Sequence, residues 1–328
     1  MVSMAETNPN RINRLKASLI FLVGCALWLA LVGVVLRKIT LRLDPNVPKI
    51  QAMMALQKND HDVLYLGDST TLEGVNPEVV DRAIGTSSYN LASGGQQILA
   101  SEMVLRHYLD HNPKPDLVTL GLFVGPENFS DINSNVYLAL KPEHRKGYER
   151  KRNDFYGRRF ERSYKFFNLV PAFRYRGGVE WLIRYLVKGS KRSPTFIKGH
   201  LALSGHEKLS QKLDAKTLVL DEKALISFAD FCQQEKLNCL VFEMPTHQSY
   251  KAARSGRKAV LSAIDEIVKN RSNVDFVSFN DSSGPLFEET LWLNLNHFNG
   301  DGAKAFTKNH LVKTIKSHLS SLKQQPAP

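Results

Sequence analysis

Beyond residue 60 the chain alternates short apolar runs with longer stretches of mixed character. The runs are DVLYL (62–66), SSYNL (87–91), DLVTLGLF (116–123), NCLVFEM (238–244) and VDFVSF (274–279). Each is of strand length and bounded by turn-forming residues, which predicts five strands. Amphipathic stretches at 76–84, 96–111, 221–236 and 257–269 predict helices; in the last, Val260, Ile264, Ile267 and Val268 fall on one face. Asp221 is a helix-start signal and Pro245 stops the fourth run. Strand–helix alternation predicts an α/β three-layer sandwich with a parallel sheet between helices. Such sheets place their sites at the carboxyl ends of the strands.

A different pattern occupies the N-terminus. Residues 17–36, ASLIFLVGCALWLALVGVVL, carry no charge and are followed by Arg37 and Lys38. Twenty helical residues span about 30 Å, enough for a hydrocarbon core. A cleaved signal peptide would usually have a shorter apolar core and a small-residue cleavage site. The reading is therefore a short tail (1–16), one transmembrane anchor (17–36), a connector (37–60) and an α/β domain (61–325). Arg11, Arg14 and Lys16 nearly balance Arg37, Lys38, Arg42 and Lys49 across the span, so charge does not orient it. We expect a cell-membrane protein with its main domain extracytoplasmic, an expectation that leans on the function argued below.

The net charge of +12 is concentrated. Between Lys141 and Lys198 there are 17 Lys and Arg against 5 Asp and Glu, which accounts for the whole excess. This stretch lies inside a region, about 126–215, that interrupts the strand–helix alternation and is rich in aromatics, including Tyr148, Phe155, Trp181 and Tyr185. We expect a mostly helical insertion. It is a solvated basic face over an aromatic core, a contact for the lipid bilayer, or a surface for an acidic polysaccharide. No recognised nucleic-acid-binding fold accompanies the charge, so no nucleic-acid partner is expected. The three cysteines show neither CxxC nor zinc spacing, so no metal, no cofactor and no disulfide framework is expected.

The candidate chemistry starts at the first predicted strand, which runs into Gly67-Asp68-Ser69. A serine on a tight turn after a strand is a helix cap or a nucleophile, and a nucleophile needs a base and an oxyanion site. Among ten histidines, His297 has the best context, in the loop LWLNLNHFNGDG just before a helix expected from about Gly300–Asp301 to Leu322.

GDS at 67–69, YNLASGG at 89–95 and NLNHFNGDGAKAFT at 294–307 resemble, in order, the signature blocks of the SGNH/GDSL hydrolase superfamily. The third is similar to the DxxH block of membrane-anchored, acyltransfer-associated members. The resemblance covers about 62–322, outside the basic insertion, and implies a flavodoxin-like sheet. It implies Ser69 as nucleophile, His297 as base, and backbone N–H groups of Ser69 and Gly94, or Gly95, as oxyanion donors. The family's GxND block corresponds to Gly125-Pro126-Glu127-Asn128, with Asn128 displaced by one residue as an oxyanion candidate. The aspartate of DxxH is Asn294 here, so the imidazole loses its charged partner; Asp301 or Glu243 could substitute, and Asp68 and His247 are pocket candidates. The resemblance implies acyl-ester chemistry on cell-surface or exported polysaccharide, as O-acetyltransferase or esterase, with a multi-pass O-acyltransferase as partner. Asn294 keeps a second expectation open, a catalytically silent glycan-binding or scaffold protein.

Overall fold

A computed structural model of the chain describes residues 9–43, 61–126, 140–157, 196–206, 215–280 and 288–324, with scattered positions between them. Asn128 and much of the predicted insertion lie outside the described residues. Two compact units emerge: residues 1–45 with 158–193, and residues 46–157 with 194–328. In the first, helix α1 (Pro9–Leu43) contains one stretch, Lys16–Thr40, long and apolar enough to cross a membrane. Leu19, Phe21, Leu27 and Trp28 on it are exposed, so these side chains are not packed into a protein core.

The second unit is built on five parallel strands: β1 (Val63–Gly67), β2 (Ser88–Asn90), β3 (Leu117–Leu122), β4 (Cys239–Glu243) and β5 (Val274–Ser278). Their order is β2-β1-β3-β4-β5, the doubly wound arrangement of flavodoxin-like sheets. The α/β expectation is met, and the strands fall within a residue or two of the apolar runs. The reason is burial on both faces: every residue of β1, β3 and β4 is buried, so these strands read as unbroken apolar segments.

Helices α2 (Ser69–Gly74), α3 (Pro77–Ile84), α4 (Ile98–Leu109), α5 (Pro142–Tyr156), α6 (Glu222–Gln234) and α7 (Arg257–Lys269) lie between or beside the strands. At the C-terminus α8 (Gly300–Phe306) runs through a π turn into α9 (Val312–Gln324). The predicted helix positions are close to those found for α3, α4, α6 and α7. Helix α2 escaped the pattern because six residues are too few for helical periodicity to register.

The edge strand β2 is covered. A hairpin pairs Phe196–Ile197 with His200–Leu201, and Asn90 N–H donates to Lys198 O at 2.9 Å. Gly199 at the turn has φ +82°, and a Cβ there would lie 2.0 Å from Asn90 O. Only glycine allows this close an approach.

Cys232 and Cys239 form a disulfide between the end of α6 and the start of β4, with Cα atoms 6.5 Å apart. Spacing had suggested no disulfide. The helix-to-strand connection brings the two residues together, and a seven-residue separation carries no recognised signature.

Candidate functional site

β1 ends at Gly67, where φ is +140° and a Cβ would lie 2.4 Å from Thr71 Oγ1 and 2.6 Å from Gly121 O. Glycine is required here by both conformation and space. Asp68 follows as the cap of α2, its Oδ1 accepting from Thr70 N–H at 2.9 Å and Thr70 Oγ1–H at 2.7 Å. Ser69 is therefore the first residue of α2, half-buried at the carboxyl edge of the sheet. The second motif braces the other end of that short helix. Asn90 Nδ2 donates to Thr71 O at 2.9 Å and Val75 O at 3.0 Å, while its Oδ1 accepts from Ala92 N–H.

The third motif is an aromatic-backed loop. Trp292 and Phe298 form an isolated antiparallel bridge, and their rings lie 4.2 Å apart, with Phe298 stacked on Phe306 at 5.6 Å. All three are almost wholly buried. Leu293 N–H donates to His297 O at 2.9 Å, closing the loop. Asn299 then caps α8 through Asp301 N–H and Gly302 N–H. Gly302 is needed because a Cβ there would meet Leu291 O at 2.0 Å. The loop is thus clamped on both sides of His297.

Ser69 Oγ and His297 Nε2 are 2.8 Å apart, although 228 positions separate them in sequence. On the far side of the ring, His297 Nδ1 lies 2.9 Å from Asn294 Oδ1. That same oxygen accepts from the backbone N–H groups of Asn296 at 3.2 Å and His297 at 3.0 Å. An amide nitrogen in this position would oppose two donors, so the amide must present its oxygen. Facing only an acceptor, Nδ1 carries the ring proton. Nε2 is then left with a lone pair directed at the Ser69 hydroxyl. Burial lowers the His297 pKa below its usual 6.5, keeping the imidazole neutral at neutral pH.

A carboxylate that motif reading passed over also borders this pair. Glu73, four residues after Ser69 on α2, places Oε2 3.9 Å from His297 Nε2. Burial, reinforced by nearby Asp68, pushes its pKa up to about 8. The available signal was the i, i+4 spacing from Ser69, which puts both on one helix face. Lys49 was another omission as a contact: this buried connector residue donates through Nζ to Ala92 O at 2.5 Å.

The remaining candidates are distributed differently. Glu243 is bidentate with Arg257, at 3.0 and 2.7 Å, and also accepts from Ser278; its carboxylate is committed there. Asp301 is exposed, 3.8 Å from Lys304. Neither partners the His297 imidazole, whose Nδ1 faces Asn294 Oδ1, so the expectation that one of them takes that place is not met. His247 is buried with its ring against Trp292, and its backbone N–H donates to Leu295 O at 2.9 Å, so it supports the His297 loop from behind. Gly94 and Gly95 lie in the turn after β2, which Ser93 N–H ties to Gly67 O at 3.1 Å. Gly95 has φ +70°, while a Cβ on Gly94 would meet no atom within 4 Å. A cavity of about 40 Å³ lies beside the end of β3, lined in part by Asp68, Gln96 and Phe123. Neither Ser69 nor His297 lines it, and it has room for little beyond water.

The fold and site together define a mixed α/β protein with a hydrogen-bonded Ser–His–Asn array at the carboxyl edge of a parallel sheet. No protein-family model matches the chain, and no curated protein matches it. Among solved structures, a Streptococcus pneumonia protein provisionally described as a platelet activating factor aligns with a TM-score of 0.40 and 13% identity. The alignment covers 88% of this chain and 98% of that one. Likeness of that degree says nothing about activity.

Proposed function

We propose that the protein is a membrane-anchored, serine-dependent acyl-ester enzyme of the SGNH type, acting on O-acyl groups of cell-surface or exported carbohydrate. Ser69 is the nucleophile and His297 the base. The observation that carries this reading is the 2.8 Å contact between Ser69 Oγ and a His297 Nε2 whose tautomer Asn294 fixes. Ser69 attacks an acyl carbonyl as Nε2 takes its proton, and the acyl group then passes to water or a sugar hydroxyl. The N–H groups of Ser69 and of the Gly94–Gly95 turn are assigned as oxyanion donors by resemblance to the family. The sugar acceptor and a multi-pass acyltransferase partner rest on the same resemblance.

The Cys232–Cys239 disulfide supports an extracytoplasmic domain, since disulfides persist mainly in oxidising compartments. Helix α1 supplies the anchor in this reading. A serine-directed fluorophosphonate is expected to label the full-length protein, and Ser69→Ala is expected to abolish labelling. Absence of labelling in the unaltered protein, with the fold intact by circular dichroism, would refute the assignment.

Asn294 favours a second reading, a silent glycan-binding or scaffold relative, because an amide cannot supply the charge that stabilises an imidazolium. In a serine protease, Asp→Asn lowers kcat about 10⁴-fold through the wrong tautomer. Here two backbone N–H groups hold the amide oxygen toward the ring. The tautomer is correct and only the charge is missing, so we retain the enzyme.

A further inference from the structure

Transfer of an acyl group from Ser69 with His297 as base leaves the Glu73 carboxyl unused, although this titratable group faces the serine side of the imidazole. Its Oε2 lies 3.9 Å from His297 Nε2, and its side chain is 13% exposed. Ser69 and Glu73 occupy successive turns of α2, four residues apart on one helix face. Burial sets the two groups in opposite resting states at neutral pH: His297 is held neutral as a base, while Glu73, pushed up to about 8, keeps its proton as an acid. Neighbouring groups whose environments separate them in this way form an acid–base pair.

We propose that Glu73 is the general acid of the site, protonating the departing oxygen during acylation and then providing beside His297 the negative charge that Asn294 lacks. The proposal rests on the acyl-ester reading. In acylation the Ser69 Oγ–acyl carbon bond forms and the ester C–O bond breaks. The Oγ proton goes to His297 Nε2, and the Glu73 proton goes to the leaving oxygen. An imidazolium–carboxylate pair remains. In deacylation a sugar hydroxyl or water forms its bond to the acyl carbon and gives its proton to Glu73. The acyl–Oγ bond breaks and Oγ recovers its proton from His297. Net charge is the same at the beginning and end, and the resting protonation is restored.

The surroundings agree with this cycle. Asp68, the cap at the start of α2, opposes the ionisation of Glu73 through its charge. His200, on the hairpin packed against α2, is directed through Nδ1 to Leu72 O and is held well below its usual pKa by burial, at about 4. On α8, also packed against α2, Asp301 and Lys304 face one another. No Lys or Arg among the described residues forms an ion pair with Glu73, so the imidazolium created in the reaction is its counter-ion.

Glu73→Gln keeps the shape and removes the transferable proton. The full-length protein in detergent would be compared on 4-nitrophenyl acetate, whose phenolate leaves unprotonated, and on ethyl acetate, whose ethoxide does not. We expect E73Q to lose about 100-fold in kcat/KM on the ethyl ester, within the usual range for general acid–base catalysis, and less than about 5-fold on the aryl ester. The basic limb near pH 8 for the ethyl ester should disappear in the variant. A merely structural role lowers both substrates alike. Equal losses on the two esters, or a basic limb that survives in E73Q, would overturn the assignment while fluorophosphonate labelling of Ser69 stands. If the unaltered protein neither labels nor turns over either ester, the acyl-ester reading and the role of Glu73 fall together.

Discussion

In the proposed Ser69–His297 mechanism, Asn294 decides how much of a triad remains. It performs two of the aspartate's three tasks: it accepts from Nδ1, and it orients the ring within a loop that Trp292 and Phe298 hold closed. The third task, stabilising the charge on the imidazolium, is missing. Asn294→Asp places a carboxylate where three N–H donors already converge. We expect kcat/KM to rise about 10- to 100-fold, equivalent to about 1.4–2.7 kcal/mol of barrier. The pH dependence should move with it. Burial lowers the wild-type His297 pKa, so the proposed activity, which needs the neutral base, should extend below pH 6.5 and be lost as the ring protonates. An adjacent carboxylate favours the protonated ring, so the acid limb of the variant should lie at higher pH. A variant with unchanged rate and unchanged acid limb would mean that His297 does not act as the base.

Among the secondary structures, the site depends on joints more than on individual lengths. Helix α2 is six residues long and cannot be stable alone. It is capped by Asp68, braced by Asn90 and held close to the sheet by the absence of side chains at Gly67 and Gly121. On the opposite side of the sheet centre, β4 and α7 are joined by the Glu243–Arg257 pair, with Glu243 almost fully buried. Arg257→Ala leaves that carboxylate without its charged partner. A loss of about 3 kcal/mol is expected, as for other buried pairs broken on one side. Calorimetry should show a lower Tm with little effect on fluorophosphonate reactivity well below it. A loss under about 1 kcal/mol would mean that water reaches Glu243 easily.

For the protein as a whole, the disulfide bears on the proposed compartment. Cys232 and Cys239 close a short loop, for which chain-entropy arguments give about 2 kcal/mol of stabilisation. Cys232→Ser should lower domain stability by that amount, and a reductant should have the same effect on the unaltered protein and none on the variant. Native protein isolated from membranes should show maleimide-reactive thiol only at Cys25, after detergent exposure. Reaction at Cys232 and Cys239 without reductant would remove the disulfide and the support it gives to an extracytoplasmic domain.

Much of the architecture was readable in one dimension because burial on both faces makes a parallel strand an uninterrupted apolar word. VLYL before Gly67 and CLVFE before Met244 need no partner to be recognised. Ser69 and His297 were likewise suggested by local motifs, whose glycines and caps answer to local geometry. The disulfide, the brace at Asn90, the diversion of Glu243 to Arg257 and the approach of Glu73 to His297 belong to another category. Each depends on distances between segments that the chain order leaves open. A carboxylate reads the same in sequence whether it meets guanidinium, solvent or imidazole, and only folding chooses among them through packing, desolvation and hydrogen-bond direction.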